Sequence, residues 1–380
     1  MKQDLKQKLK PNTKYDAIIV GAGSAGLMCA VNLKVKHGLI IEKGSKPGRK
    51  LLLSGGGRCN ITHGGSIKDF TFCYGDNGGK IRTCLYKHSN LSMMDFFHDN
   101  GLELICDEKG LVHPASMNAE DVLNLLLRKA SENAWTIVTD CEISDLTELL
   151  DLSDNIIIAC GGITYPASGS DGSLYPALRK IPSLEFIEPR SALAPIRVVD
   201  YPYGELSGIS VSDVELCIGT GKNSHKQKGD ILLTHKNLSG PAVLNISRYA
   251  EAGKQVRINW LPGSSDPLGD AEGRLPKRLY RLIAKSAMTD KGFISTKKLE
   301  SLLTADTFII EACEPNGMVT KGGIALSCVD VKTMELKAHP GIYAIGEVLD
   351  VDGNTGGYNL QFCWSSACTA AEAVGAKLEI

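Results

Sequence analysis

Two stretches of this chain combine residue types and spacing that could do chemistry. Residues 21–26 read Gly-Ala-Gly-Ser-Ala-Gly, a GxGxxG, and Glu42 follows about twenty residues later. That pattern suits a dinucleotide. Gly21 allows a tight turn, Gly23 lets a pyrophosphate approach the backbone, and Gly26 lets the following helix pack on a strand. The amino terminus of the helix that follows, with Ser24 and Ala25 in the loop before it, offers free N–H groups and a positive dipole end to the phosphates. Glu42 can accept hydrogen bonds from ribose hydroxyls. The second stretch, Gly48 to His63, reads GRKLLLSGGGRCNITH. Three glycines in a row are costly to order, so Gly55, Gly56 and Gly57 need a reason.

The elements around the first motif are in the right order to position it. Ala17–Val20 is a short apolar run with β-branched residues, expected as a buried parallel strand. Leu27 to Leu33 suits a helix. Leu39 to Ile41 forms a second apolar strand ending at Glu42. Ala119 to Ala130 has helical periodicity behind Asn118 as a cap. Asp154 to Gly162, through Ile156–Ile158 and Ala159, reads as another strand, ending in the glycines Gly161 and Gly162.

Composition narrows the function classes. The chain has 380 residues, which suggests two domains. A formal net charge of −1 argues against broad attraction to nucleic acid or anionic membrane. No apolar run approaches the ~20 residues of a bilayer span. The basic, polar first fourteen residues read as a flexible tail and not as a secretory signal. Twelve scattered cysteines without CxxC suggest reduced thiols of a cytoplasmic enzyme. No cysteine or histidine cluster has metal-ligand spacing, so no metal is expected.

Near the other end, Ile342 to Ile345 reads as a strand closed by Gly346 and Glu347. A glycine-rich loop through Gly356, Gly357, Tyr358 and Asn359 then leads into a helix from Leu360 to Val374. That helix start would stabilise an anion by up to ~2 kcal/mol, as suits a reduced flavin. A motif at each end of the chain favours FAD over NAD. No second GxGxxG of the same quality exists, so NADH or NADPH would bind transiently.

The chain resembles the bacterial BaiN-like flavoproteins, also described as the aminoacetone oxidase family. The resemblance lies in residues 21–26, 48–63, 159–172, 232–248, 319–324 and 346–361. It implies an α/β fold: a Rossmann-type FAD-binding domain interrupted by an inserted antiparallel β domain with a small helical part. It implies FAD contacts from the glycine loop, Glu42, Lys43, Lys50, Ser54, the Gly55–Asn60 loop with Gly57, Arg58 and Cys59, Ala159, Gly161, Gly346, Glu347, and Gly356 to Leu360. On this reading, side-chain-free backbone at Gly55–Gly57 lies against the cofactor. Arg58 neutralises phosphate or the flavin edge with a fixed fork of donors, and Lys50 adds charge.

The expected organisation is a tail over 1–14, FAD-binding parts over 15–188 and 319–380, and a β-rich substrate domain over 189–318 with short helices in 275–303. Residues 263–274 read as a loop. Compared with the family, the helical part looks trimmed. The candidates for chemistry beyond the cofactor are Cys59 as a partial thiolate beside Arg58, Tyr165 as a proton donor, and His235 at the substrate face. For His235 a turn-closing role is the plainer reading. His63 and His113 are weaker candidates, with surface or packing roles. Cys363 and Cys368 form a C-x4-C, but five residues of helix turn them ~140° apart, which argues against a disulfide.

The expected function is an FAD-dependent oxidoreductase transferring hydride through flavin N5, with NAD(P)H-linked reduction of an activated C=C bond or oxidation of a small amine. The alternative is a non-catalytic FAD-binding protein. A small-molecule substrate is expected, with neither nucleic acid nor membrane as partner. An FAD-dependent RNA-modifying enzyme is the rival that near-neutral charge argues against.

Overall fold

The computed structural model describes Lys8 and residues 13–378. Most of the expected tail lies outside the described residues. The chain divides into two compact units. One runs to Arg190 and resumes at Val319; the other is Ser191–Met318.

In the first unit, strand β1 (Ala17–Val20), helix α1 (Ser24–Asn32) and strand β2 (Gly38–Ile41) open a parallel sheet. Helix α2 (Arg49–Leu53) precedes the triple glycine, and α3 (Ala119–Glu132) is capped by Asn118, whose side chain accepts from the Glu120 N–H. Strands β3 (Trp135–Val138) and β4 (Ile156–Ile158) flank the first pair. β1 pairs in parallel with β2, Ala17 opposite Gly38, and with β4, Ile18 opposite Ile156. All four residues of β1 and of β2 are buried, as a strand covered on both faces requires.

The second unit is a closed antiparallel barrel. Its strands are β5 (Ile196–Val198), β6 (Ser210–Ile218), β7 (His225–Leu233), β8 (Leu238–Ser239), β9 (Gln255–Asn259) and β10 (Asp306–Cys313), in the order β6-β7-β8-β5-β10-β9. Alternate residues such as Leu216, Val256 and Ile258 face its core. Between β9 and β10 lie three helices: α4 (Pro267–Arg274), α5 (Lys277–Ser286) and α6 (Thr296–Ala305). The loop expected over 263–274 is therefore largely a helix. Asp266 caps it by accepting from the Gly269 N–H at 3.1 Å, and Pro267 takes the first position, where no N–H is needed.

The chain returns to the first unit through β11 (Val319–Ile324), a small antiparallel edge of β12 (Val329–Asp330) and β13 (Glu335–Leu336), then β14 (His339–Ala344). β14 pairs in parallel with β4, Ile342 opposite Ile156. The seven-stranded order is β12-β13-β14-β4-β1-β2-β3. Helix α7 (Tyr358–Leu378) closes the unit, largely buried. The Rossmann-type sheet interrupted by an antiparallel β domain agrees with the expected architecture.

Candidate functional site

The carboxyl ends of β1, β2 and β4 converge on the first glycine loop. Helix α1 begins with Gly23 as its cap, so no side chain occupies its first N–H groups, and no acid stands in its first turn. A Cβ added at Gly23 would meet nothing within 4 Å, so the space before Ser24 and Ala25 is open. Glu42 turns back on the loop. Its two carboxylate oxygens accept from the Ala22 N–H at 2.9 Å and the Gly44 N–H at 2.6 Å. Lys43 is tied to Asp171 and Ser173, across the loop that follows β4.

The triple glycine has a backbone reason. Gly55, Gly56 and Gly57 have φ of 58°, 66° and 89°, three successive left-handed residues that side chains would resist. Space beside Gly56 is open. Ser54 Oγ donates to the Leu51 carbonyl, and exposed Arg58 folds back to donate from Nε to the Gly55 carbonyl at 3.1 Å. Cys59 departs from expectation. It is fully buried, and burial pushes its thiol up to about 12, so it is a neutral thiol and no partial thiolate. Beside it His113, also buried, bonds the Cys59 carbonyl through Nδ1.

The carboxy-terminal segment docks on the same loops. Gly346 lies against Ala25, with an added Cβ only 2.7 Å from the alanine methyl. Gly357 has φ of 96°, and a Cβ there would stand 2.4 Å from the Thr62 carbonyl. Tyr358 stacks on His63 with ring centres 5.2 Å apart. Asn359 clamps its own loop, accepting from the Gly353 N–H at 2.8 Å and donating to the Gly353 carbonyl at 2.9 Å. Leu360 is half-buried one residue on. After β4, Ala159 pairs its N–H with the Val20 carbonyl, and the Gly161 carbonyl accepts from Tyr175.

A polar network joins these parts. Lys50 Nζ lies 2.6 Å from Glu347 Oε2 and 2.8 Å from Thr164 Oγ1. The Thr320 N–H donates to Glu347 Oε1, and Thr320 Oγ1 accepts from the Ile163 N–H. Lys50 is thus already paired with Glu347, and its charge is largely spent inside the protein. Tyr165 sits beside this network in a left-handed conformation, φ 61°, with an exposed ring 5.8 Å from Lys50 Nζ. A bulky residue held there is a strain marker worth a functional reading.

Sequence reasoning missed two contributors, Arg49 and Lys321. Arg49, together with the expected Asn60, keeps a buried polar atom without a hydrogen-bond partner among the described residues, Nε in the arginine and Oδ1 in the asparagine. Lys321 on β11 is half-buried, and its ammonium is pulled below the ordinary lysine range, chiefly by burial and against the pull of Asp352. The stretch VTKGGI around it held the signal. His235 belongs to the other unit. It is exposed in the β7–β8 turn closed by the Thr234 N–H on the Asn237 carbonyl.

These residues fit an FAD. An uncapped helix start, open space at Gly23 and Gly56, and the unsatisfied Asn60 Oδ1 and Arg49 Nε lie in one unit built from both ends of the chain. The fit would place the pyrophosphate at α1 and the ribose near Glu42. Among the described residues no cluster suits a metal ion, and no helix is long and apolar enough to cross a membrane.

The sequence profile described as HI0933-like protein Rossmann domain matches residues 15–373. The ribosomal RNA dihydrouridine synthase of Escherichia coli (strain K12) is 29% identical, over 94% of this chain and 98% of that protein. The protein of the same name from Haemophilus influenzae is 30% identical, over 93% and 97%. The 3-dehydro-bile acid delta(4,6)-reductase of Clostridium scindens is 26% identical, over 94% and 98%. Among solved structures, the 3-ketosteroid delta1-dehydrogenase of Sterolibacterium denitrificans is similar in fold, with a TM-score of 0.51 at 12% identity over 96% of this chain and 100% of that one.

Proposed function

The chain belongs to the HI0933-like protein Rossmann domain family and is an FAD-dependent oxidoreductase; from that premise we propose that it reduces a C=C bond conjugated to a carbonyl, in a uracil base of ribosomal RNA. One observation carries the reading. Relatives named for different substrates share one bond change. Dihydrouridine is uridine saturated at a double bond conjugated to a ring carbonyl. A delta(4,6)-3-ketone is likewise a conjugated enone. Both need hydride at the far carbon and a proton at the near one. The two relatives named for RNA are also the more similar pair, which favours uridine over a steroid. Oxidation of a small amine has no support from these names.

Bound FAD, once reduced by NADPH or NADH, would supply the hydride to the substrate. The rest falls to the chain. The N–H groups at α1 hold the pyrophosphate, and Glu42 keeps the loop in shape for it. Asn60 and Arg49 supply an acceptor and a donor that their own surroundings leave unused. The Lys50–Glu347 pair braces the loop after β4 against β11. Lys321 is our choice of proton donor: a half-buried ammonium with a weakened hold on its proton gives it up more readily. Tyr165 and His235 remain rival donors, and Cys59 does not, being neutral and enclosed.

The flavin is read as the experimental handle. Anaerobic protein should bleach with NADPH or NADH and recover colour on adding rRNA that lacks dihydrouridine, whose nucleosides then show a gain of two hydrogens at uridine. Recovery with a steroid dienone and not with RNA would favour the second substrate class. Colour that no donor bleaches would favour a binding role and overturn the reading.

A further inference from the structure

The whole-chain charge of −1 hides a local segregation. From Arg274 to Glu300 there are eight cations, all exposed, against two carboxylates, Asp290 and Glu300. The centre of this excess is α5, which carries Lys277, Arg278, Arg281 and Lys285 and no acid. Lys277, Arg281 and Lys285 recur every fourth residue, so they rise along one helical face over about 12 Å. Among the described residues none of these three has an ion-pair partner. Arg274, one turn earlier, has Asp270 at 3.7 Å, and Arg278 donates to the Glu205 carbonyl. Past the end of α5 a turn presents Lys291 and Phe293, the latter 73% exposed. Lys297 and Lys298 open α6 just beyond.

The opposite face of α5 is spent. Leu279, Ile283 and Ala284 are buried in the core of their own unit. A helix that lies on a membrane needs its apolar face for the acyl boundary. This one has only its charged face to offer. Unpaired cations in a row match a phosphate backbone, and an exposed aromatic ring beside them matches an unstacked base.

We propose that the basic face of α5, with Phe293 at its far end, docks the phosphate backbone of structured ribosomal RNA. The proposal rests on the reading of rRNA as substrate and adds where the RNA is held. On this proposal local charge outweighs the near-neutral total, because attraction follows charge within a Debye length, about 10 Å in ordinary buffers.

The test uses full-length FAD-loaded protein and a fluorescein-labelled rRNA hairpin, with anisotropy read across a salt series. The triple variant Lys277→Glu, Arg281→Glu, Lys285→Glu should bind at least tenfold more weakly. Its plot of log affinity against log salt should be shallower by about 2 to 3, since each phosphate contact adds about 0.9 to the slope. Phe293→Ala should weaken binding about fivefold with the slope unchanged. The charge-matched control Lys34→Glu, Lys36→Glu, Lys332→Glu, on exposed positions of the other unit, should bind like the parent. Equal weakening in both triples, no weakening in the α5 triple, or binding to phosphatidylserine vesicles in place of RNA would each overturn the docking surface. Parent protein that binds RNA through α5 yet reduces no uridine would uphold the surface and overturn the substrate reading alone.

Discussion

At the scale of single residues, the consequences turn on protons. Lys321 is faced by Asp352, Asp350 and Asp76 and by the Arg190 guanidinium, and burial outweighs them in lowering its affinity for a proton. A donor must be protonated, so substrate reduction should persist at low pH and fall as pH rises through that lowered pKa, earlier than an ordinary lysine would allow. Lys321→Gln should abolish this alkaline limb and slow flavin reoxidation by substrate about a hundredfold. Bleaching by NADPH should be unchanged, and stopped-flow absorbance separates the two half-reactions. If both slow together, Lys321 holds structure and moves no proton. Cys59 carries the opposite expectation. Because burial keeps it a neutral thiol, native protein should resist iodoacetamide at this position, and Cys59→Ser should keep its turnover within about threefold. Asn60→Ala removes an acceptor that nothing in the protein uses. It should loosen FAD by about tenfold while leaving the thermal midpoint of the apoprotein unmoved.

At the scale of elements, two glycine loops make a contrasting pair. Gly56 has φ of 66° and open space beside it, whereas Gly357 has φ of 96° and the Thr62 carbonyl in the way. Gly56→Ala should cost about 1–2 kcal/mol of apoprotein stability and lose FAD by filling the cradle. Gly357→Ala should cost on the order of 3 kcal/mol, because α7 would have to shift; urea unfolding of the two apoproteins distinguishes them. The barrel supplies a pH test of its own. Buried Asp306 accepts from Trp260 Nε1 and from the Tyr203 hydroxyl, yet burial raises its carboxyl to about 6. A raised acid binds its proton more tightly folded than unfolded. Its contribution is therefore whole below about pH 4 and lost as pH rises through 6, by about 3 kcal/mol. Asp306→Asn should flatten the stability of the barrel between pH 4 and 7. These elements differed in how legible they were. β1, α1 and β2 could be read because period, glycines and acid agreed. Pro267–Arg274 could not, because its glycines suggested a loop while the decisive signal was the capping Asp266 before Pro267. Lys321 stayed hidden because desolvation depends on what packs around β11, which no local pattern states.

At the scale of the whole molecule, the chain has two cores that share no buried side chain. One gathers both ends of the polypeptide around the sheet, and the other fills the barrel. Every residue assigned here to FAD lies in the first. A ligand stabilises only what it binds, by RT ln(1 + [L]/Kd), which is about 2.7 kcal/mol at a hundredfold excess over Kd. A unit of this size gains about 2–4 °C per kcal/mol, so FAD should raise the first unit's unfolding by about 5–10 °C. It should leave the barrel's transition where it was. The same division governs RNA, whose proposed docking face is on α5 in the second unit. Added RNA hairpin should therefore move the barrel's transition and not that of the FAD unit. Differential scanning calorimetry of apoprotein, with FAD alone and with RNA alone, checks both at once. If FAD moved both transitions equally, the cofactor would be held by residues of both units and the present assignment would fall. If RNA moved only the FAD unit's transition, the polyanion would be competing for the phosphate cradle at α1, and α5 would have no part in holding it.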